Sequence, residues 1–282
     1  MLTEQLFEQW NFDHEMIVGK VHAVLGPCDI FIGGSLADDL GTSGSDVDLY
    51  CFLEDAPVDV RRPLVTECGD ASLELHVVEV AAAIGQTESL ASLVVDAADL
   101  PPHQWPLLSP QELRRLHALY RDRGIYRAVG AAESFRRAAA PDLLHLYVAL
   151  RALLTCVSLA EDVGALVASE ERWSALYCSR LAVESALDAA LASRGMVNPN
   201  SKWRVPLAQR VQLVDPQFPD LETLLGGLFP DPRAPGEAVR RCLDTAAHCL
   251  RVVTDDGFLA SFPIVAEAVE LLDAAPGPDG DG

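Results

Sequence analysis

Residues 33–49 of this chain read Gly-Gly-Ser-Leu-Ala-Asp-Asp-Leu-Gly-Thr-Ser-Gly-Ser-Asp-Val-Asp-Leu, a glycine turn followed by a pair of aspartates. The glycines and Ser35 come directly after a short apolar run at 30–32, so we expect a sharp turn off the end of a strand. Asp46 and Asp48 open a second apolar run. Because alternate residues of a strand share a face, both carboxylates should point the same way.

Two carboxylates on one face, beside a glycine-rich turn, suit a hard divalent cation that holds a phosphate chain. Mg²⁺ takes oxygen ligands, usually one or two carboxylates together with phosphate oxygens. The glycines allow backbone N–H groups to approach phosphate oxygens, and a short helix predicted to begin near Ser35 would direct its positive end there. The stretch therefore predicts a site for a metal ion and a phosphate chain.

The same stretch resembles the signature of a known superfamily. Gly34 and Ser35 are followed, after ten residues, by an Asp-Val-Asp sequence at 46–48. This combination resembles that of the DNA polymerase β-like nucleotidyltransferases, with the layout of their small bacterial members, the antibiotic nucleotidyltransferases and the minimal, MNT-like ones. The resemblance covers roughly residues 28–80, and two elements at one spacing are more specific than a lone glycine motif.

The resemblance implies an activity and a set of site residues. Such enzymes transfer a nucleotide from a nucleoside triphosphate, here expected to be ATP, with the help of two Mg²⁺ ions. Asp46 and Asp48 would hold the metal. The residues expected to contact the nucleotide phosphates in this turn are Gly33, Gly34, Ser35 and Ser45.

The resemblance also implies a third acidic residue, on a neighbouring antiparallel strand, that binds metal and can act as base on the attacking hydroxyl. Two β-rich runs, 63–68 and 72–80, flank a Gly-Asp pair and predict a hairpin. Glu74, between two leucines, matches the family's apolar–acid–apolar pattern, although Asp is commoner there. Glu79 is the weaker alternative, and His76 is interpreted as a neighbour on the face of Glu74 rather than a base.

The spacing of apolar residues changes near residue 109, from mixed helical and strand periods to helical periods only, and this change predicts two domains and an α+β fold class. Residues 1–108 mix helical and strand patterns and are expected to form a nucleotidyltransferase domain with a small mixed sheet. A capping box at 109–112 then opens a region with only helical periodicity, so 109–273 predicts a helical bundle that binds substrate. The acidic, apolar-poor tail, 274–282, is expected to be disordered.

The individual elements follow from the same patterns. The predicted strands are 28–32, 47–53, the two strands of the hairpin, and 105–108. The predicted helices are 2–25 with a break near residue 11, a short one near Ser35, 87–98, 110–123, 125–139, 142–168, 170–194, 217–228, 236–255 and 258–274.

Composition argues against a membrane protein and against a disulfide scaffold. Half of the 282 residues are apolar, yet no uncharged apolar run approaches the roughly 18 residues of a membrane span, and the N-terminus lacks a signal-peptide layout. The seven cysteines include no Cys-x-x-Cys pair and are interpreted as core residues. We therefore expect a cytoplasmic protein.

The charge balance bears on the partners. Acidic residues outnumber basic ones 42 to 21, for a formal net charge of −21. Such a surface repels the phosphate backbone, so long nucleic acid is not an expected partner. The sign instead favours a cationic or neutral small acceptor.

Few basic residues are candidates for phosphate binding. Lys202, one of two lysines, lies in a polar segment at 198–204, and in similar antibiotic nucleotidyltransferases the helical domain supplies a basic residue to the nucleotide. A surface lysine beside Trp203 is the alternative. Arg180 interrupts an apolar face and is either a second phosphate or acceptor contact or an arginine that extends to solvent.

One departure from the family pattern lies just after the Gly-Ser pair. Many relatives carry a basic residue there, whereas this chain has Asp38 and Asp39, expected to face solvent or to contact a helix end. The arginines between residues 114 and 127 are expected to form a solvated helix face. The phosphates would then rely on metal, backbone N–H groups and serine hydroxyls.

These features predict a metal-dependent nucleotidyltransferase that transfers a nucleoside monophosphate to a hydroxyl of a small, aminoglycoside-like acceptor and releases pyrophosphate. Two alternatives stay open. One is nucleotidylation of a protein or a tRNA end, as in toxin–antitoxin nucleotidyltransferases, although the acidic surface argues against tRNA. The other is a non-catalytic nucleotide-binding or interaction module of the same fold, against which the three filled carboxylate positions count.

Overall fold

The chain forms two compact units, the first comprising Met1–Ala97 with Gln104–Leu144 and the second Ala98–His103 with His145–Gly282. The predicted α+β class is confirmed, because one five-stranded mixed sheet lies in the first unit and helices make up the second. The computed structural model describes residues 3–10, 12–55, 63–68, 71–96, 105, 107–127, 130, 143–198, 200–255 and 259–274.

The first unit combines short helices with the sheet. Its helices are α1 (Thr3–Gln9), α2 (His14–Leu25), α3 (Gly34–Ala37), α4 (Val80–Asp96) and α5 (Pro110–Arg121). Its strands are β1 (Asp29–Ile32), β2 (Val47–Leu53), β3 (Leu64–Cys68), β4 (Ala71–Glu79) and β5 (Gly124–Tyr126). The strand order is β3-β4-β2-β1-β5, with β2 and β4 parallel and the other neighbours antiparallel.

Alternation along β2 and β4 separates the core from the polar face. Val47 and Leu49 of β2, with Leu73 and Leu75 of β4, are fully buried in a cluster that includes Phe7 of α1 and Ile17 and Val21 of α2. The residues between them therefore lie on the opposite face of the sheet. Since β2 and β4 run parallel, Asp48 is the register partner of Glu74.

The predicted opening helix is two helices, because a second N-terminus forms after the expected break. The Asp13 side chain accepts a 2.6 Å hydrogen bond from the Met16 N–H, which caps α2. At the other end Gly26 takes a φ of 77° and its N–H bonds to the His22 carbonyl. The predicted strands at 28–32 and 47–53 and the predicted hairpin are confirmed within one residue, although the Gly-Asp turn lies outside the described residues.

Several predictions at the end of the first unit are wrong. Residues 124–126 form strand β5 on the edge of β1, where the predicted helix 125–139 was expected to begin, because a three-residue strand is too short to show an alternating pattern. Residues 128–129 and 131–139 of that predicted helix lie outside the described part. Helix α5 packs on α3, α4 and β1, so the compact unit runs on to Leu144, beyond the predicted boundary at 108. The described residues of 105–108 are not in a strand, and the helix predicted at 87–98 begins at Val80.

From residue 143 onward the described chain is helical. The helices are α6 (Leu143–Ala168), α7 (Arg172–Ser193), α8 (Arg204–Gln212), α9 (Leu221–Leu228), α10 (Pro235–Thr254) and α11 (Pro263–Ala274), with 3₁₀ turns at Ser201–Trp203 and Leu259–Ser261. The most extensive helix–helix contact joins α7 and α10. The buried face of α7 is rich in alanine, including Ala182, Ala186 and Ala189, and small side chains allow such close packing.

Helix α8 was not predicted, because its first turn contains Pro206 and follows a polar segment. Proline is tolerated in the first turn, where its missing N–H has no helical partner. Helices α9 and α11 begin four and five residues later than predicted, and residues 275–282 of the predicted tail lie outside the described part. All seven cysteines are free, and six of them are buried, in agreement with their predicted place in the core.

Helix α6 is long and apolar enough, by length and composition, to cross a membrane. Its most apolar 18-residue window has a mean hydropathy of 1.8, and 56% of that window is buried within the protein. Burial of this kind is typical of a core helix in a globular protein.

Candidate metal and nucleotide site

The glycine turn after β1 is held against β2 at very short range. The Gly33 N–H donates a 2.8 Å hydrogen bond to the Asp48 carbonyl. A Cβ on Gly33 would lie 2.2 Å from the Tyr50 ring, and a Cβ on Gly34 would lie 1.9 Å from Asp48 Oδ2. Gly34 also has a φ of 56°, in the left-handed region. Glycine is therefore required at both positions, and the backbone of Gly34 borders the Asp48 carboxylate.

Asp48 and Glu74 meet on the polar face of the sheet, together with His76. One ligand atom from each of the three side chains lies within 4.8 Å of the others. His76 Nε2 is 3.0 Å from Asp48 Oδ1 and 3.9 Å from Glu74 Oε2. The two carboxylates are about one-third exposed, so the group is open to solvent. A divalent cation binds such a set of oxygen and nitrogen atoms.

The strand that carries Glu74 runs in the opposite direction to the one expected. β4 is parallel to its neighbour β2, whereas the resemblance implied an antiparallel neighbour. The antiparallel partner of β4 is the edge strand β3, on its other side. Glu79, the weaker candidate, is exposed at the far end of β4 opposite Leu53. The register thus brings Glu74, and not Glu79, to Asp48.

Asp46 lies outside this group of three. It is exposed and comes directly before β2 begins at Val47. Strand alternation predicted that Asp46 and Asp48 face the same way, and the role of Asp46 stays a prediction; the structure groups Asp48 with His76, which was not predicted as a ligand. The parallel register of β2 and β4 was the missing information, because it sets Tyr50 and His76 side by side.

The ring of Tyr50 stacks on the imidazole of His76. The two rings stack with centroids 4.6 Å apart and an interplanar angle of 11°. Burial raises the pKa of the Tyr50 hydroxyl, the Asp48 carboxylate raises it further, and Arg114 and Arg115 oppose the shift. Tyr50 therefore stays protonated, and its buried ring packs against the imidazole of His76.

The two serines of the motif are engaged within their own turns. Ser35 is buried in α3, and its carbonyl accepts a 2.9 Å hydrogen bond from the Leu40 N–H. The Ser45 hydroxyl accepts a 2.9 Å hydrogen bond from the Thr42 N–H and lies 3.3 Å from the Thr42 hydroxyl. Both serines thus help to shape the loop between α3 and β2.

Asp38 and Asp39 contact residues at the end of α5, in agreement with the second of their two predicted roles. Of the nearby arginines, Arg121 and Arg123 pair with these aspartates, whereas Arg114 and Arg127 are exposed as predicted. Asp38 is buried, with Oδ1 2.7 Å from Arg121 Nε and Oδ2 3.3 Å from His117 Nε2. Asp39 forms a two-pronged ion pair with Arg123, one of whose bonds is 3.0 Å long. These pairs tie the loop after α3 to Arg121, the last residue of α5, and to Arg123 just beyond it.

Lys202 and Arg180 both lie in the second unit. Lys202 is exposed, with its Nζ 5.0 Å from the centre of the Trp203 ring. Arg180 Nη2 lies 3.1 Å from Glu184 Oε1, one turn along α7, while its Nε is buried with no hydrogen-bond partner among the described residues. Their proposed contacts with a nucleotide remain predictions.

An ionic network near these two residues was not predicted. Arg204 Nη2 is 2.8 Å from Asp188 Oδ2 and its Nε is 3.0 Å from Asp188 Oδ1, while Nη1 is 2.6 Å from Glu184 Oε2. Asn198 donates a further 3.0 Å hydrogen bond to Asp188. The neighbouring carboxylates raise the pKa of the Arg204 guanidinium through these hydrogen bonds, against the opposing effect of burial. An acidic pair four residues apart on α7 was the available signal.

The second unit also contains a groove of about 680 Å³ along α9 and α10. Its walls carry charges of both signs, including Asp220, Asp244, Arg240 and Arg251. None of the predicted site residues lines it.

No family model matches this chain, and no curated protein matches it. A similar solved structure is that of a nucleotidyltransferase-like protein from Exiguobacterium sibiricum 255-15, with 14% sequence identity and a TM-score of 0.47 over 87% of this chain and 76% of that one.

Proposed function

We propose that this protein is a metal-dependent nucleotidyltransferase that transfers a nucleoside monophosphate, with ATP as the expected donor, to a hydroxyl of a small acceptor. The observation that carries the proposal is the meeting of Asp48 and Glu74 directly beside the Gly33-Gly34 turn. Each element alone is common in proteins. Their combination supplies cation ligands and an accessible backbone at one place, as a nucleoside triphosphate bound through its metal requires.

The donor set fits a divalent ion. Asp48 and Glu74 offer carboxylate oxygens, and no lysine or arginine of the described chain lies within ion-pair distance of either. The space that a Cβ of Gly34 would fill lies against Asp48 Oδ2, so no side chain obstructs that oxygen from the turn. A bound divalent ion would stabilise charge on the attacking and leaving oxygens of an in-line displacement.

The protein's own groups would position the reactants. The backbone of the Gly33-Gly34 turn can approach phosphate oxygens because it carries no side chains. Glu74, whose carboxylate is one-third exposed on the strand face, is suited to accept the proton of the acceptor hydroxyl. Asp46, exposed just before β2, would contact the reactants only from the edge of the site. Positioning of this kind supplies much of the rate of phosphoryl-transfer enzymes.

The net charge of the protein is the basis for the proposed class of acceptor. A net charge of −21 favours a cationic or neutral compound and disfavours a polyanion such as tRNA. An aminoglycoside-like polyhydroxy amine meets both conditions, since it offers hydroxyl groups and positive charge. We propose further that the protein acts in the cytoplasm on a small molecule and not at a membrane.

The first experiment measures thermal shift with each of the four nucleoside triphosphates, with and without Mg²⁺, on wild type and Asp48→Asn. A ligand that binds the native state raises the melting temperature by mass action. We expect a Mg²⁺-dependent shift, largest with ATP, that Asp48→Asn loses. Glu79→Gln is the control, because Glu79 is a carboxylate of the neighbouring strand β4 that lies outside the cluster.

Pyrophosphate release with a panel of acceptors then tests the transfer itself. Release that depends on an aminoglycoside-like acceptor supports the proposal. Transfer of labelled nucleotide to a protein would show that the acceptor is a protein and not a small molecule. No shift with any nucleotide would overturn the proposed function and favour a non-catalytic module.

A further inference from the structure

We propose that His76 is a direct ligand of the metal, so that the site is an Asp48–Glu74–His76 set with one nitrogen donor. Such a site holds a first-row transition ion, such as Co²⁺ or Zn²⁺, in preference to the Mg²⁺ that the sequence predicts. The inference rests on the proposed function for the presence of a metal, and it changes which residue and which ion complete the site.

The first support is distance. Opposite ligands of an ion with bonds of about 2.1 Å are about 4.2 Å apart, and adjacent ones about 3.0 Å. His76 Nε2 lies 3.0 Å from Asp48 Oδ1 and 3.9 Å from Glu74 Oε2, both within that range. The imidazole nitrogen therefore already stands where a third ligand of the same ion would stand.

The second support is that the ring is held in place. Stacking on the buried Tyr50 ring fixes the plane of the imidazole. The parallel register of β2 and β4 fixes the position of His76 along its strand relative to Asp48. The His76 side chain is 14% exposed, less than half the exposure of either carboxylate. A ligand that is ordered before the metal arrives loses little freedom on binding.

The third support is the chemistry of the donor set. Imidazole suits zinc, cobalt and similar ions, whereas Mg²⁺ binds oxygen ligands almost exclusively. The second aspartate of the motif, Asp46, is exposed and outside the cluster, so the donor set as folded is two oxygens and a nitrogen. With His76 in this place, the site departs from the all-carboxylate pattern that the motif implies.

A competing role for His76 is to orient Asp48 through the 3.0 Å hydrogen bond without touching a metal. The two roles predict different metal dependence. A ligand contributes strongly to Co²⁺ affinity and little to Mg²⁺ affinity, whereas an orienting hydrogen bond affects both ions alike.

The test is calorimetric titration of the full-length protein with Co²⁺ and with Mg²⁺, alongside the Co²⁺ absorption spectrum. The variant is His76→Gln, whose amide can still donate to Asp48 but is a poor metal ligand. We expect Co²⁺ affinity to fall by about 100-fold and Mg²⁺ affinity by less than about 3-fold, with a change in the Co²⁺ ligand-field bands. His248→Gln, in the second unit, is the control for adventitious binding by histidine.

A second variant keeps the proposal testable if His76→Gln does not fold. His76→Glu supplies an oxygen at similar reach, and it should retain Mg²⁺ binding while losing the nitrogen signature in the Co²⁺ spectrum. Equal losses for both ions, or an unchanged Co²⁺ spectrum in either variant, would overturn the inference. Tight Co²⁺ binding through His76 without any nucleotide binding would instead leave the inference standing and reject the proposed function.

Discussion

Two clusters of carboxylates, one in each unit, differ in what neutralises them. On the sheet, the described neighbours of Asp48 and Glu74 within ion-pair distance include only His76. On α7 and α8, Glu184 and Asp188 are both held by Arg204, and Glu184 by Arg180 as well. The first cluster carries uncompensated negative charge on a solvent-accessible face, and the second carries its own cations.

This difference separates a site from a structural device. Carboxylates held by a fixed guanidinium stabilise the fold and leave few lone pairs for a ligand. Carboxylates grouped without a fixed cation repel one another, and the repulsion is relieved when a cation binds. We therefore expect changes in the sheet cluster to alter ligand binding more than stability, and changes in the helical cluster to do the reverse.

The largest expected effect is that of Asp48→Asn on nucleotide transfer. It removes the carboxylate shared by the His76 contact and the glycine turn, so the rate of pyrophosphate release should fall by at least about 10³-fold. The melting temperature without metal should stay the same or rise, because one member of a repelling group is gone. A large loss of stability in the metal-free variant would contradict the comparison, and Glu79→Gln serves as the control.

Arg204→Gln should act in the opposite way. It leaves Asp188 without its guanidinium partner in a partly buried place, which should lower the free energy of unfolding by about 3 kcal/mol. Metal binding by the first unit should not change. Urea unfolding measures the first quantity and Co²⁺ titration the second. Lys202→Gln, an exposed cation two residues earlier, should change stability by less than about 0.5 kcal/mol.

Gly34→Ala tests how closely the turn approaches the cluster. A Cβ would lie 1.9 Å from Asp48 Oδ2 in a backbone with a φ of 56°, so the turn or the carboxylate must move. We expect a loss of about 1–2 kcal/mol in stability and a fall of more than about tenfold in metal affinity, by urea unfolding and calorimetry. Gly44→Ala is the matched control, since nothing lies within 4 Å of its added Cβ. Unchanged metal affinity in Gly34→Ala would show that the glycine turn does not contribute to the metal site.

The motif predicted much of this arrangement because its information is local. Strand alternation and glycine content placed Asp48 on a polar face after a sharp turn, and the structure places it there. The apolar–acid–apolar pattern indicated Glu74, strand alternation put Glu79 on the opposite face, and the register brings Glu74 to Asp48.

What the sequence left open depends on contacts between distant segments. His76 becomes a neighbour of Asp48 only through the parallel pairing of β2 and β4, which no local pattern encodes. The pairing of Asp38 with Arg121 joins residues far apart in the chain, so the sequence left two roles open for the acidic loop, facing solvent or contacting a helix end, and identified no partner. Strand β5 is three residues long and is defined by its pairing with β1 rather than by a period.

The smallest expected effect is a pH-dependent one, at another compensated carboxylate of the second unit. Arg194 Nε lies 2.7 Å from Asp215 Oδ2, and this hydrogen bond holds the pKa of Asp215 below its usual value. A depressed folded-state pKa stabilises the fold above the unfolded pKa of about 3.9, and the stabilisation is lost as pH falls through the folded value.

Asp215→Asn should therefore lower the free energy of unfolding by about 1 kcal/mol near neutral pH. This gap between wild type and variant should close in acid below about pH 4. Urea unfolding at several pH values measures it, with Asp231→Asn, an exposed carboxylate paired with Arg233, as the control. A gap that persists unchanged in acid would show that Asp215 acts through shape rather than charge. Mg²⁺ should not affect this gap, whereas it should stabilise wild type over Asp48→Asn, because only the sheet cluster depends on a cation from solution.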